Sequence, residues 1–348
     1  MKKILLVFLL LGLFGGWIEK PNEKEKAEVS SVNLKEAEIY YNKGNSKFDL
    51  SDFEGAIFNY NKAINLDPKY ADIYYNRGLA KYNLKQYKEA ILDYDKAIEL
   101  VPKDSVAYYN RGNSKDELKD YEGAISDYTK AINLDSKYAD AYYNRGITKN
   151  KLNDYEGAIL DYSKVIELNP NDVDAYSNRG SVRNDLKQYK EAILDYDKVI
   201  ELNPDDADAY YNRGLTKDAL KQYKEAILDY NEAIKLEPNN AEAYNNRGSA
   251  RNDLKQYKEA ILDYNKAIEL NSNKSLVYYN RGLSKYVLEY YIEAILDFDK
   301  AIKLDPDGAD AYYNRGLARY KLKNYIGADS DFKKANELNP ELKNPYKN

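Results

Sequence analysis

One primary amide recurs along this chain at a fixed interval, because Asn42, Asn76, Asn110, Asn144, Asn178, Asn212, Asn246, Asn280 and Asn314 stand 34 residues apart. An amide both donates and accepts, so a row of them can pair with the N–H and C=O groups of an extended polypeptide whatever its side chains are. Directly before it runs a column of phenols, Tyr41, Tyr75, Tyr109, Tyr143, Tyr211, Tyr279 and Tyr313, interrupted by Ser177 and Asn245. Tyrosines at helical spacing pack more often than they bind, yet a phenol column beside an amide column can do both. Directly after the amides, from the second occurrence on, come arginines such as Arg77, Arg111 and Arg179. A guanidinium next to an apolar stripe requires a carboxylate. Asp93, Asp127, Asp161 and Asp195 recur in register, so structural ion pairs Arg77–Asp93 and Arg179–Asp195 are expected. The first occurrence departs in both columns at once, with Lys43 and Asn59.

Composition removes most other chemistry. There is no cysteine and no histidine, and the single methionine is the first residue. Thiolate nucleophiles, Ser/His/Asp triads, His or Cys metal sites and disulfides are therefore excluded, and neither a metal nor a cofactor is expected. Lys and Arg number 53 against 58 acidic residues, with no basic run that could track a phosphate backbone, so nucleic acid is not an expected partner. The expectation is a binding protein and not an enzyme.

The elements that must position these columns are legible from the same interval. Nine units follow one another without insertion, at 37–70, 71–104, 105–138, 139–172, 173–206, 207–240, 241–274, 275–308 and 309–342, with a tail at 343–348. In the second unit Tyr87, Ala90, Ile91, Tyr94, Ala97 and Ile98 fall on one helical stripe, and an earlier helix buries Tyr74, Gly78 and Leu84. Turn signals such as Asp67-Pro68 and Asn203-Pro204 separate the units, the polar residue being suited to cap the helix that follows. A glycine (Gly44, Gly78, Gly112 and onward) and an alanine (Ala56, Ala90, Ala124 and onward) recur in every unit. Glycine inside a helix costs about 1 kcal/mol against alanine, so the column predicts close backbone approach, glycine against alanine.

The order Tyr74, Gly78, Tyr87, Ala90, Tyr94, Ala97, Pro102 resembles the tetratricopeptide repeat, and the resemblance covers residues 37–342. It implies an all-α fold, a right-handed α-solenoid superhelix of helix-turn-helix repeats whose first helices line a concave groove. It further implies that the amide column is similar to the asparagine ladder with which superhelical members hold peptide backbones. The candidate peptide-binding residues are then Asn76, Asn110, Asn144, Asn178, Asn212, Asn246, Asn280 and Asn314 with Tyr75, Tyr143, Tyr211 and Tyr279. The arginine before each glycine departs from the family pattern. Members that clamp a chaperone's C-terminal carboxylates use basic residues where this chain has Asp72, Tyr75, Asn76 and Asp140, so that clamp is absent.

The units are not interchangeable. The second, eighth and ninth carry Tyr82, Tyr286 and Tyr320 where the middle ones carry Asp116, Asn150, Asn184, Asp218 and Asn252. Together with Asp140, Asp174, Asp208 and Glu242 this predicts a polar, acidic middle that favours a basic or neutral polypeptide. The expected function is an exported scaffold for protein–protein interaction that binds extended segments. The alternatives are an architectural spacer without a specific ligand, and a saccharide binder that uses the tyrosines. Export is read from residues 1–18, where Lys2 and Lys3 precede an apolar run from Ile4 to Ile18, as in a signal peptide or a signal anchor. The run falls short of the roughly 20 residues that span a bilayer. The expected location is periplasmic or extracellular, or tethered through residues 4–18 if the leader is uncleaved, which would be the only membrane contact. Residues 19–36 read as a polar, flexible linker. At the far end Asp329, Ser330 and Asn336 replace apolar residues of the stripe, which predicts a last repeat that caps itself.

Overall fold

A computed structural model describes residues 23–346; the predicted leader lies outside the described residues. Among these the chain forms eighteen helices joined by short turns and no strands. After a long first helix, Glu23–Asp49, and its partner Phe53–Leu66, the helices alternate in fixed lengths. Ala71–Asn83 and Tyr87–Leu100 form the second pair, and the series runs to Ala309–Lys321 and Tyr325–Leu338. The fold is an α-solenoid of tandem helix-turn-helix repeats. Its contacts divide it at Thr148 and Lys149 into two compact units, each a stack in which helices pack on their sequence neighbours.

The stretch read as a linker is helical from Glu23, because it continues upstream the helix that carries the first repeat, and Ala37 is already buried within it. In each repeat the second helix buries an alanine, an aromatic ring and another small residue, as with Ala90, Tyr94 and Ala97. From the second repeat on, the paired first helix buries its glycine and the residue two further on, as with Gly78 and Ala80 or Gly214 and Thr216. Leu84 is only half-buried, as the residue that ends its helix.

The glycine column has a different partner from the one its sequence suggests. A Cβ on Gly78 would lie 2.7 Å from Cε1 of Tyr94, and one on Gly282 2.7 Å from Cε1 of Phe298. The glycine therefore makes room for the flat aromatic ring of the second helix, not for the alanine. Between the two helices of a repeat the turn contains no glycine, although it enters the left-handed region at Lys85, Lys187 and Lys221 with φ near 60°. Lys85 N donates to Tyr82 O and Gln86 N to Lys81 O at 2.8 and 2.9 Å, which satisfies the last carbonyls of the first helix. In the turn between repeats Asp67 ends the helix before it and does not cap the one that follows, since its carboxylate accepts from Lys69 N two residues on. The capping residue comes later, at Asp104, Asp172, Asp206 and Asn240.

At the last repeat Ser330 and Asn336 are exposed. Asp329 is partly covered, because Asn344 Nδ2 donates to its carboxylate at 2.9 Å. Tyr346 stacks flat on Tyr320 with centroids 3.5 Å apart. The tail thus lies over the final repeat.

Candidate functional site

The arginine column sits on the first helices one residue before the glycine, and its fork meets the second helix of the same repeat. Arg77 Nη2 and Nε reach Asp93 at 2.5 and 2.9 Å, and Arg179 Nη2 reaches Asp195 at 2.6 Å. Each aspartate is nearly inaccessible and takes a second cation from the next turn, Lys81 at 2.7 Å from Asp93 and Arg183 at 2.6 Å from Asp195. The remaining guanidinium nitrogen crosses to the preceding repeat, as Arg111 does to Asp95 and Arg213 to Asp197, both at 2.6 Å. The guanidinium face lies over a tyrosine one turn back, Arg77 over Tyr74 at 5.6 Å. Burial opposes the charge on Arg213, but the hydrogen bonds and charge of Asp229 and Asp197 outweigh it and hold the group above its ordinary value. In the first repeat this network is not built: Lys43 lies over the Tyr40 ring, and Asn59 donates to Gly55 O in its own helix. The arginines are thus occupied in packing.

The amides and phenols meet across repeats. Asn76 Nδ2 donates to Tyr41 Oη at 3.0 Å, Asn110 to Tyr75 at 3.0 Å and Asn144 to Tyr109 at 2.9 Å. In the second unit Asn246 donates to Tyr211 at 2.9 Å and Asn314 to Tyr279 at 3.1 Å. The second amide hydrogen is also taken, by Asn45 and Asn113 side chains for Asn76 and Asn144, and by the carbonyls of Val106 and Asp310 for Asn110 and Asn314. Both donors of these four amides are therefore spent on repeat packing, and the Oδ1 acceptor is what remains to offer. The phenols are half-buried, and Tyr75 is pushed up to about 12 by burial first and then by the charge of Asp104. Tyr143 and Asn178 are half-buried in different units, on the first helices of their repeats.

Asn212 and Asn280 differ. Each follows a repeat in which the phenol is missing, with Ser177 and Asn245 in its place, and among the described residues neither side-chain amide makes a hydrogen bond. The two column breaks were the only sign of this in the sequence. The polar middle holds a further departure: Thr148, Thr216 and Ser284 donate to Asp116, Asn184 and Asn252 at 2.8, 3.1 and 2.9 Å. Asp218 has Ala250 where that hydroxyl would stand, its Oδ1 is buried without a partner, and burial followed by the charge of Asp253 pushes it up to about 6. No cluster able to hold a metal occurs among the described residues, and none of their helices is long and apolar enough to cross a membrane.

Comparison with known proteins agrees with this architecture. Family profiles described as "Tetratricopeptide repeat" match residues 71–104, 139–172, 207–240, 241–274 and 309–342, and also 93–126 and 162–193. A profile described as "TPR repeat" matches 44–85, 117–151, 180–217 and 290–323. No curated protein matches. Among solved structures, a tetratricopeptide repeat protein from Parabacteroides merdae is 22% identical with a TM-score of 0.51, covering 72% of this chain and 99% of its own. Pseudomonas aeruginosa pilF is 22% identical with a TM-score of 0.51, covering 58% of this chain and 92% of its own. YrrB, described as a TPR protein with an unusual peptide-binding site, is 28% identical with a TM-score of 0.49, covering 53% of this chain and 95% of its own. With its repeats matched along most of its length and its helices paired in tandem, the chain belongs to the tetratricopeptide repeat family, whose fold typically mediates protein–protein interaction.

Proposed function

We propose that this chain is a non-enzymatic scaffold that holds extended polypeptide segments against the amide and phenol columns of its first helices. The observation that carries the reading is the state of the amides. In Asn76, Asn110, Asn144 and Asn314 both donors are anchored, so the side chain is fixed at no further entropic cost and Oδ1 remains to accept a peptide N–H. Carboxylates at the start of the first helices, Asp72, Asp140, Asp174, Asp208 and Asp310, are exposed and favour a basic or neutral partner over an acidic one. The basic-then-apolar order of residues 1–18 supports action outside the cytoplasm, periplasmic or extracellular, or at a membrane reached through residues 4–18.

Selection of a random peptide library on the immobilised chain tests the binding reading. Enriched peptides of neutral or positive charge are expected, with affinity falling when Asn144, Asn178, Asn212 and Asn246 become alanine. A chain that enriches nothing is a spacer, and one that enriches only when a saccharide is supplied serves the other alternative. Export is tested separately: residues 1–36 fused to a reporter active only outside the cytoplasm should give signal, and a reporter that stays silent removes the localisation.

A further inference from the structure

The first repeat exposes a face that every later repeat buries. In the second repeat Ile73 and Ala80, on the first helix, cluster with Ala56, Tyr60 and Ala63 of the preceding second helix. Between them Arg77 Nη1 crosses to Asn61 of that helix at 2.6 Å. Alanine or valine holds the place of Ile73 in the later repeats and is at most 6% exposed in any of them. In the first repeat Ile39 holds it and is 53% exposed. Val32, one heptad upstream on the same side of the helix, is 49% exposed, and Leu50, just past the helix, is 77% exposed.

Opposite charges flank Ile39 on this face. Glu36 stands three residues before it and Lys43 four residues after, and both are exposed. The ion pair of this helix among the described residues is Lys47 with Asp52 at 2.8 Å, which leaves Glu36 and Lys43 without one. The far end of the array is built differently. Ile57 and Ile64 of the first repeat pack on the cluster that holds Ile73, whereas the ninth repeat has Asp329 and Asn336 at their places. Asn344 Nδ2 donates to Asp329 and Asn336 Nδ2 to Pro340 O, at 2.9 and 3.0 Å, so that end is polar and already bonded to the tail. The last repeat of another copy thus offers the Ile39 face no apolar counterpart, which disfavours head-to-tail growth. The surface that does match the face is the same face of a second copy.

We infer that two copies of this chain dimerise through their first helices, packed antiparallel about a two-fold axis at Ile39. Each Ile39 covers the other, and Glu36 of one copy meets Lys43 of the other twice over, because both stand one turn from Ile39 on opposite sides. A parallel pairing sets Glu36 against Glu36 and Lys43 against Lys43, so the charges select the antiparallel one. Lys43 takes from the second copy the carboxylate that later arginines take from the preceding repeat, as Arg111 does from Asp95. The helix reaches upstream to Glu23, which gives the partner helix a surface beyond the repeat itself. The dimer does not depend on peptide binding, and it joins two sets of amide columns in one particle.

Sedimentation equilibrium of the full chain should give a monomer–dimer equilibrium with no larger species, and Ile39→Asp should leave monomer alone. Glu36→Lys and Lys43→Glu each bring like charges together and should weaken the dimer about tenfold. Glu36→Lys combined with Lys43→Glu restores the complementarity and should return the parent's affinity. All three positions are exposed, so helix content and melting should match the parent in every variant. Because the chain has no cysteine, Ile39→Cys carries a single thiol, which a short bismaleimide should join into a covalent dimer. Ile326→Cys, 88% exposed on the ninth repeat, should stay monomeric under the same treatment. A monomeric parent overturns the dimer, whether the Ile39→Cys thiol reacts freely with maleimide or is shielded by residues 4–18. Association that survives Ile39→Asp overturns it in favour of contact through residues 4–18, and species larger than the dimer overturn it in favour of head-to-tail growth. A combined charge variant that fails to recover overturns the antiparallel two-fold.

Discussion

The first unit, residues 23–148, and the second, from Lys149, are built from the same repeat and present different inner faces. In the first, the phenol–amide bond is made at every step from Tyr41 to Asn144. In the second it is made at Asn246 and Asn314 and is missing at Asn212 and Asn280. Meanwhile the ion-pair network beneath is the same in both, Asp127 with Arg111 and Lys115 in one, Asp229 with Arg213 and Lys217 in the other. The contrast separates two layers of the design. One layer is a charged core shared by the two units, and the other is a phenol column that varies without disturbing it.

The largest effect should come from the shared layer. Asp127→Ala and Asp229→Ala each strand two cations against a nearly inaccessible site and should each cost about 3–5 kcal/mol. Urea unfolding, with hydrogen exchange to localise the loss, should return similar values for the two units. A marked difference would break the claim that the core is common. Next comes conversion of one face into the other: Tyr75→Ser removes a half-buried ring and the partner of Asn110, costing about 2–4 kcal/mol. It should also release one donor of the Asn110 amide, read as a shift of its side-chain NMR signal. An Asn110 signal that stayed in place would mean that the phenol is not what anchors the amide.

A smaller effect belongs to Asp218, held up to about 6 by burial and by Asp253. A carboxyl raised in the folded state contributes stability that is fully present below its unfolded value and is lost as pH rises through its folded one. Asp218→Asn should therefore match the parent near pH 4 and exceed it above pH 6 by about 1–2 kcal/mol, after allowance for its partial exposure. Ala250→Ser, which supplies the hydroxyl found at Ser284, should recover part of the same gain. Unfolding midpoints measured from pH 4 to 8 decide it, and a gain that did not vary with pH would remove the buried carboxylate as its source. The smallest effect lies in the turns, where Lys85→Gly and Lys221→Gly relieve a left-handed lysine and should stabilise by under about 1 kcal/mol, offset by the greater freedom of glycine when unfolded. Equal small shifts in both units are expected; opposite signs would show that the turns differ in strain.

Residues 37–342 announced their architecture because a repeat that must bury the same stripe nine times writes the same residues nine times. The Arg and Asp columns and the breaks at Ser177 and Asn245 could be read from type and spacing alone. Other features depended on where side chains met. The glycine column needed a partner, and both the alanine and the tyrosine of the second helix recur with it; geometry selects the ring, whose edge lies 2.7 Å from the Cβ that Gly78 lacks. Lysine in a left-handed turn carries no signal in composition, since only the hydrogen bonds from Lys85 and Gln86 back to the helix hold it there. Likewise, the polar stretch after the leader is helical from Glu23 because the first helix extends into it, although nothing in its residues marks a repeat.

What the sequence determined by itself was periodicity: helix pairs, an inner amide column, a buried charge column and the two places where the phenols stop. These follow from spacing, which any stack of identical units must preserve. Only the tertiary structure decided which hydrogen-bonding groups remain for a partner, because that depends on bonds between residues 35 apart, such as Asn110 and Tyr75. An asparagine looks the same in all nine repeats. Whether it is anchored or free is settled by the side chain that the preceding repeat places against it.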